Sequence, residues 1–204
     1  MKIIAVGMNY AQHIQELGNT QVDNEPVIFM KPDSAILKDN KPFFIPDFSS
    51  EIHYETELVV RICRLGKNIA PRFASRYYDA LTVGIDFTAR DLQRKYRQNG
   101  LPWELSKGFD SSAAIGTFIP IEHYADIQQL QFNLDIDGVT VQQGCTADMI
   151  HRVDDLIAYV SRFVTLKIGD LLFTGTPVGV GPVTVGQHLE GYLEHEKLLD
   201  FHIR

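Results

Sequence analysis

Apolar and polar positions along the chain mostly alternate or gather in short runs, with only a few stretches at helical spacing. That pattern predicts a mainly β protein with short helices (α+β). Lys2–Val6 reads as a short strand. Asn9 to Gly18 reads as a short helix, with Asn9 as its N-cap and Gly18 just past its end. Gly18 to Glu25 is polar and turn-rich and reads as a mobile loop, and Val27–Met30 reads as a strand that stops at Lys31-Pro32. Ile52–Ile62 is the longest strand candidate. Pro71 to Ala80 reads as a helix, Ala80 to Phe87 as a buried strand, and Ala89 to Asn99 as a helix. Gln131–Ile136 and Val139–Gln143 alternate about Asp137-Gly138, a pair suited to a two-residue hairpin turn. Val153, Leu156, Ile157, Val160 and Val164 follow a helical repeat. Leu171–Thr174, Gln187–Leu193 and Lys197–Ile203 complete the set as strands. The regular strand–helix alternation of a doubly wound fold is missing.

Composition narrows the picture. The chain has 204 residues, 45% of them hydrophobic, and a formal net charge of −7. A domain of this size buries roughly 70% of the surface its unfolded chain exposes and needs no covalent staple. Nothing resembles a basic stripe for phosphate contacts, so nucleic acid is not an expected partner. The two cysteines, Cys63 and Cys145, make neither a disulfide framework nor a zinc spacing. Cys145, beside Gly144 and Thr146, is open to a site-lining role. No segment reaches the ~20 apolar residues of a membrane span, and the apolar start is too short for a signal peptide. A cytoplasmic location is the expectation.

The candidate chemistry is acidic. Glu55 and Glu57 stand two apart in a strand, so period two puts both on one face with His53. Adjacent carboxylates repel, and a hard divalent cation relieves them; a solvated outer sheet face fits the same spacing. Asp86 ends the apolar run Leu81-Thr-Val-Gly-Ile-Asp86, where an acid is costly without a partner; capping the next helix is its other reading. With Glu55 and Glu57 it makes an oxygen site suited to Mg²⁺ rather than to zinc. His13 and Glu16, i and i+3 on the first helix, form a possible acid–base pair or a plain surface pair. Arg90, with Asp91 and Gln93, opens the helix after Asp86 and suits a carboxylate ligand as well as it suits solvent. Lys107 follows Leu105-Ser106 in a Gly-containing loop and can face an oxyanion or water. Gly175-Thr-Pro-Val-Gly-Val-Gly-Pro182 lacks the Lys-Ser/Thr of a phosphate loop, although its amides, and the Thr176 hydroxyl as a donor, suit an anion.

In order along the chain, Gly7-Met-Asn-Tyr-Ala-Gln-His13, Glu25-Pro-Val-Ile-Phe-Met-Lys-Pro32, His53-Tyr-Glu-Thr-Glu-Leu58, Asp86-Phe-Thr-Ala-Arg-Asp91, Gly100-Leu-Pro-Trp103, Ser106-Lys-Gly-Phe109 and Gly175-Thr-Pro-Val-Gly-Val-Gly181 resemble the fumarylacetoacetate hydrolase superfamily. The likeness is greatest to its acylpyruvase and oxaloacetate decarboxylase branch. The resemblance implies a mixed β-sandwich roll, one catalytic domain over residues 1–204, with the N-terminal strand and a lid (about 9–25) packed on the roll. It implies a homodimer and a small 2-oxo acid substrate. It further implies Glu55, Glu57 and Asp86 as ligands of Mg²⁺, with Mn²⁺ or Ca²⁺ as substitutes. His13, Glu16 and Lys107 become catalytic groups, and Arg90, Gln93 and Thr176 substrate-binding ones. The implied reaction is cleavage of the carbon–carbon bond of acylpyruvates, decarboxylation of oxaloacetate, or both. Isomerisation, hydration or decarboxylation of 2-hydroxy-dienedioates is the alternative, and a non-catalytic cation-binding module a further one. Val178 and Cys145 depart from the family's usual residues and leave selectivity open.

Overall fold

The computed structural model describes residues 1–16 and 25–204. In chain order the elements are β1 (Ile3–Gly7), α1 (Ala11–Glu16), β2 (Val27–Lys31), β3 (Ile36–Leu37), β4 (Ile52–Tyr54), β5 (Thr56–Ile62), β6 (Tyr78–Asp86), β7 (Thr88–Ala89), α2 (Arg90–Gln98) and α3 (Glu104–Lys107). They continue with β8 (Ala113–Ile115), β9 (Ile119–Pro120), β10 (Gln131–Ile136), β11 (Val139–Cys145), α4 (Val153–Ser161), β12 (Leu171–Phe173), β13 (Gly181–Pro182), β14 (His188–Leu193) and β15 (Glu196–His202). The expected mainly β architecture with short helices is what the chain adopts.

The largest sheet runs β2-β1-β12-β5-β6-β8-β3, with β9 added beside β6. It is mixed, because β1 lies parallel to β12 and β3 parallel to β8 while the other pairs are antiparallel. A four-stranded antiparallel sheet, β11-β10-β14-β15, and a small one, β13-β4-β7, complete the curled half-barrel. Alternation along β1, β5 and β12 divides the core. Ile4, Val6, Leu58, Val60 and Leu172 pack in one cluster with Val153, Leu156, Ile157 and Val160 of α4. Ile3, Ala5, Val59 and Phe173 gather on the opposite face. A third cluster joins Ile85 and Phe87 to Leu134, Leu189 and Phe201 of the four-stranded sheet.

Several expectations change in detail. The long strand 52–62 is two strands in different sheets, because the chain turns from one sheet to the other at Glu55. The helix expected over 71–80 is a 3-10 turn, Pro71–Arg76, cut short because Tyr78 starts β6 and pairs with Ile62. Asn9 does not cap α1: its amide is fully buried and faces the other end of the chain. The loop expected from Gly18 to Glu25 falls, apart from Glu25, outside the described residues, as does much of the expected lid. The hairpin at Asp137-Gly138 forms as read, with φ of 52° and 78°, the left-handed pair that a two-residue turn demands.

Candidate active site

The turn at Glu55 makes the site. Asp86 N–H donates to the Glu55 carbonyl at 2.8 Å, which ties the end of β6 to the start of β5. Glu55, Glu57 and Asp86 are thereby gathered, each offering an oxygen within 4.8 Å of the others. All three are buried, with 5%, 1% and 0% of their surface exposed. The solvated-face reading therefore does not describe these carboxylates. His53, expected on their face, is elsewhere: β4 belongs to another sheet, and the His53 Nε2 lies 2.9 Å from Glu51.

Buried carboxylates at this density need counter-charge, and three elements deliver it. The Lys107 ammonium, at the end of the one-turn α3, donates to Glu55 Oε2 and to Asp86 Oδ2, both at 2.7 Å. Arg90, at the start of α2, donates to Glu55 Oε1 and to Gln93 Oε1, both at 2.5 Å. Lys31, the last residue of β2, is 2% exposed; its Nζ lies 2.6 Å from Asp86 Oδ1 and donates to the Ser112 carbonyl and hydroxyl at 3.0 Å and to the Lys107 carbonyl. Sequence reasoning passed over Lys31, although a lysine closing the apolar run Val-Ile-Phe-Met carries the same signal as Asp86 in its own strand. Glu57 has no cation of its own among the described residues and accepts the Gly175 N–H at 2.7 Å. Gly175 holds φ +97°, and a Cβ there would stand 2.7 Å from that of Asn9, so only glycine brings the amide this close.

These neighbours divide the titration behaviour. Burial alone would raise the Glu55 carboxyl, but Lys107, Arg90 and His13 outweigh it and hold it well below the usual range. Burial, then the Asp86 and Glu55 carboxylates, push Glu57 well above that range. Burial also lowers Lys31 despite Asp86, whereas in Lys107 the Asp86 and Glu55 charges overcome burial and raise it.

The residues fit a hard divalent cation. The donor set is all oxygen, Glu57 is pressed by like charges, and Asp86 Oδ1, for all its closeness to Lys31, makes no hydrogen bond. A second cluster, His188, Glu190 and Asp200, does not compare: it is half-exposed, and Lys197 already bridges its two carboxylates at 2.8 and 2.7 Å.

A cavity of about 30 Å³, which Glu55 and Lys107 line, also receives a second group. His13 Nδ1 lies 2.8 Å from Glu16 Oε2, and Glu16 Oε1 accepts the Gly179 N–H at 3.1 Å. A carboxylate at Nδ1 leaves Nε2 as the basic nitrogen. The cavity is also lined by Glu55, Arg90, Gln93, Arg97, Lys107 and Thr176, with Phe29 and Trp103 as an edge-to-face aromatic wall. It has room for about one water, so a substrate must part its lining. Donors are left unspent there: among the described residues the buried Arg90 Nε makes no hydrogen bond, and the Gln93 amide N–H groups have no partner. The expected hydroxyl donor is spent, since Thr176 Oγ1 donates to the Thr56 carbonyl at 3.0 Å and accepts from Gln142. Neither Cys145 nor Val178 lines this cavity; Val178 borders a separate one of about 210 Å³ beside Tyr10.

Comparison with known proteins gives a consistent result. The family model described as fumarylacetoacetate (FAA) hydrolase C-terminal matches residues 2–204. The chain is 42% identical over 189 residues to oxaloacetate tautomerase YcgM of Escherichia coli (strain K12), covering 92% of this chain and 86% of that protein. It is 44% identical over 187 residues to the mitochondrial oxaloacetate decarboxylase of Dictyostelium discoideum, covering 91% and 85%. Among solved structures, fumarylpyruvate hydrolase from Pseudomonas aeruginosa in complex with Mn²⁺ and pyruvate superposes with a TM-score of 0.94 at 34% identity, covering 100% of this chain and 89% of that one.

Proposed function

The chain belongs to the fumarylacetoacetate hydrolase family, and from that premise we propose that it is a divalent-metal-dependent enzyme acting on small 2-oxo acids. Its reactions would be those that share an enolate: cleavage of acylpyruvates, decarboxylation of oxaloacetate, and the keto–enol interconversion for which one relative is named. The observation that carries this reading is the convergence of two groups on one cavity. Glu55 and Lys107 bring the carboxylate cluster to the cavity wall, and the His13 imidazole, paired with the Glu16 carboxylate, lines the same cavity.

Glu55, Glu57 and Asp86 would hold the metal, which supplies Lewis-acid polarisation of the 2-oxo group when bound. The unspent Arg90 Nε–H and Gln93 amide would bind the 1-carboxylate. His13 Nε2 would take a proton, from C3 in interconversion or from water in hydrolysis, while Glu16 stabilises the imidazolium that results. Negative charge growing on the substrate oxygen would develop beside the Lys107 ammonium, already fixed by two carboxylates and so in place before the reaction. Loss of CO₂ from oxaloacetate needs no base, so it would depend on the triad and Lys107 but little on His13.

The test follows the enol absorbance of acetylpyruvate and oxaloacetate, with pyruvate release measured separately, in the presence of Mg²⁺ and of EDTA. EDTA and Glu57→Ala are expected to abolish turnover. His13→Ala should slow hydrolysis and interconversion by ~10²-fold or more and decarboxylation far less. Equal losses in all three reactions would remove His13 from the role of base. No turnover of either acid, with Mg²⁺ still bound, would shift the reading to the dienedioate isomerase or hydratase alternative.

A further inference from the structure

Every charge that lines the cavity is matched by another, with one exception. Glu55 is held by Lys107 and Arg90, and His13 by Glu16. Arg97 lines the same cavity, yet its guanidinium makes no hydrogen bond or ion pair with any described residue. Its neighbour Arg94 serves as the control on the same helix: it turns away from the cavity and is paired with Glu51. The surplus cation is thus the one that faces inward.

Helical geometry places this charge where it matters. Arg90, Gln93 and Arg97 stand at i, i+3 and i+7 of α2, one face of the helix. Arg97 is therefore about 10.5 Å along the axis from Arg90. The carboxylate carbons of a four- to six-carbon 2-oxo diacid are three to five C–C bonds apart, about 4–6 Å. Adding a charge-assisted hydrogen bond of about 3 Å at each end gives roughly 10–12 Å. A monoacid leaves the far guanidinium unanswered; a diacid of this length answers it.

We propose that Arg97, beside Trp103, is a specificity-determining residue that binds the distal carboxylate of a 2-oxo dicarboxylic acid whose 1-carboxylate sits at Arg90 and Gln93. This rests on the 2-oxo acid reading of the site and narrows it to diacids. The triad and His13 are indifferent to the far end of the substrate. The choice between diacid and monoacid falls to α2.

Trp103 is the sole tryptophan of the chain and lines the cavity, so its fluorescence reports binding without turnover. The experiment titrates the Mg²⁺-supplied protein with 2-oxoglutarate and with 2-oxopentanoate, which match in carbon number and differ in the second carboxylate. Wild type is expected to bind the diacid at least ~10-fold more tightly. Arg97→Met keeps the apolar stem and should erase that preference without weakening the monoacid; Arg97→Lys should restore part of it. In turnover, kcat/KM for oxaloacetate should fall by a similar factor in Arg97→Met, chiefly through KM, with acetylpyruvate unchanged. Equal affinity for the two acids in wild type, or equal weakening of both in Arg97→Met, overturns the subsite and leaves the 2-oxo acid reading standing. If neither acid perturbs Trp103, that reading falls and the subsite with it.

Discussion

Replacing Asn9 by Asp separates two roles that the amide can have. At a helix N-cap the two residues are interchangeable, and a cap is what the sequence suggests. In the structure the Asn9 amide instead donates to the His151 carbonyl at 3.0 Å and to the Thr174 carbonyl at 2.8 Å, while its oxygen accepts the His151 N–H at 2.8 Å. Asp keeps the acceptor and turns the two donors into an oxygen aimed at two carbonyls, in a place with 0% exposure. Two lost hydrogen bonds and the desolvation of the new oxygen amount to about 2–4 kcal/mol. At about 2–4 °C per kcal/mol for a chain of this size, Tm should drop by roughly 5–15 °C near neutral pH. A carboxyl held there has a folded pKa above its unfolded one. Its contribution is present below the unfolded value and is lost as pH rises through the folded one. The deficit should therefore shrink toward pH 5. The same clamp joins the start of α1, which carries His13, to the Thr174-Gly175 turn that holds Glu57, so turnover should fall as well. Thermal unfolding of Asn9→Asp from pH 5 to 8 is the assay. A Tm within about 2 °C of wild type throughout would refute the clamp and reinstate the cap.

Two further outcomes follow from the charge cluster. Lys31→Met should destabilise the protein by about 3–5 kcal/mol in urea unfolding, because it breaks a buried ion pair and leaves Asp86 short of a partner, although the Ser112 and Lys107 carbonyls keep the Phe87 N–H and the Ser112 hydroxyl as donors; a loss below about 1 kcal/mol would show that Lys107 suffices for Asp86. Glu57, raised by burial and then by Asp86 and Glu55, favours its protonated form in the metal-free fold. Its contribution is thus present below the unfolded carboxylate value and lost as pH climbs through the raised folded one. If Glu57 ligates the metal as proposed, Mn²⁺ would displace that proton, so the Tm gained on adding Mn²⁺ should grow from pH 5 to 8, and a gain that is flat with pH would exclude Glu57 as the linked group.

What could be read from the sequence was what depends on near neighbours. The Asp137-Gly138 hairpin forms as expected because the turn chemistry is local, and α2 begins within one residue of its expected start. An acid in the apolar strand ending at Asp86 betrayed the triad, because burial of an unpaired charge is costly wherever it occurs. The break at Glu55 was invisible, since alternation from His53 to Leu58 is unbroken in sequence and only the change of sheet reverses a face. The counter-charges were invisible for a related reason. Lys31 reaches Asp86 across 55 residues and Lys107 reaches Glu55 across 52, so no local pattern ties the partners together.

The cluster also bears on how one site serves relatives named for different reactions. Glu55 and Asp86 are answered by cations from three separate elements, β2, α2 and α3, so a change to any one of them perturbs the rest. Such a cluster is rigid in composition and, on the proposed reading, would serve one task, fixing charge beside a developing enolate. What distinguishes hydrolysis, decarboxylation and interconversion lies outside it: whether a base is needed, and what occupies the far end of the substrate. On the proposed reading His13 would answer the first question from α1 and Arg97 the second from the far turn of α2. Both line the cavity without touching the triad through a hydrogen bond, so either can change while the cluster stays intact. Selectivity among 2-oxo acids should therefore follow substitutions at the rim of the cavity, and metal affinity those beneath it. A variant of Arg97 that altered metal binding as much as substrate choice would show that the two layers are coupled.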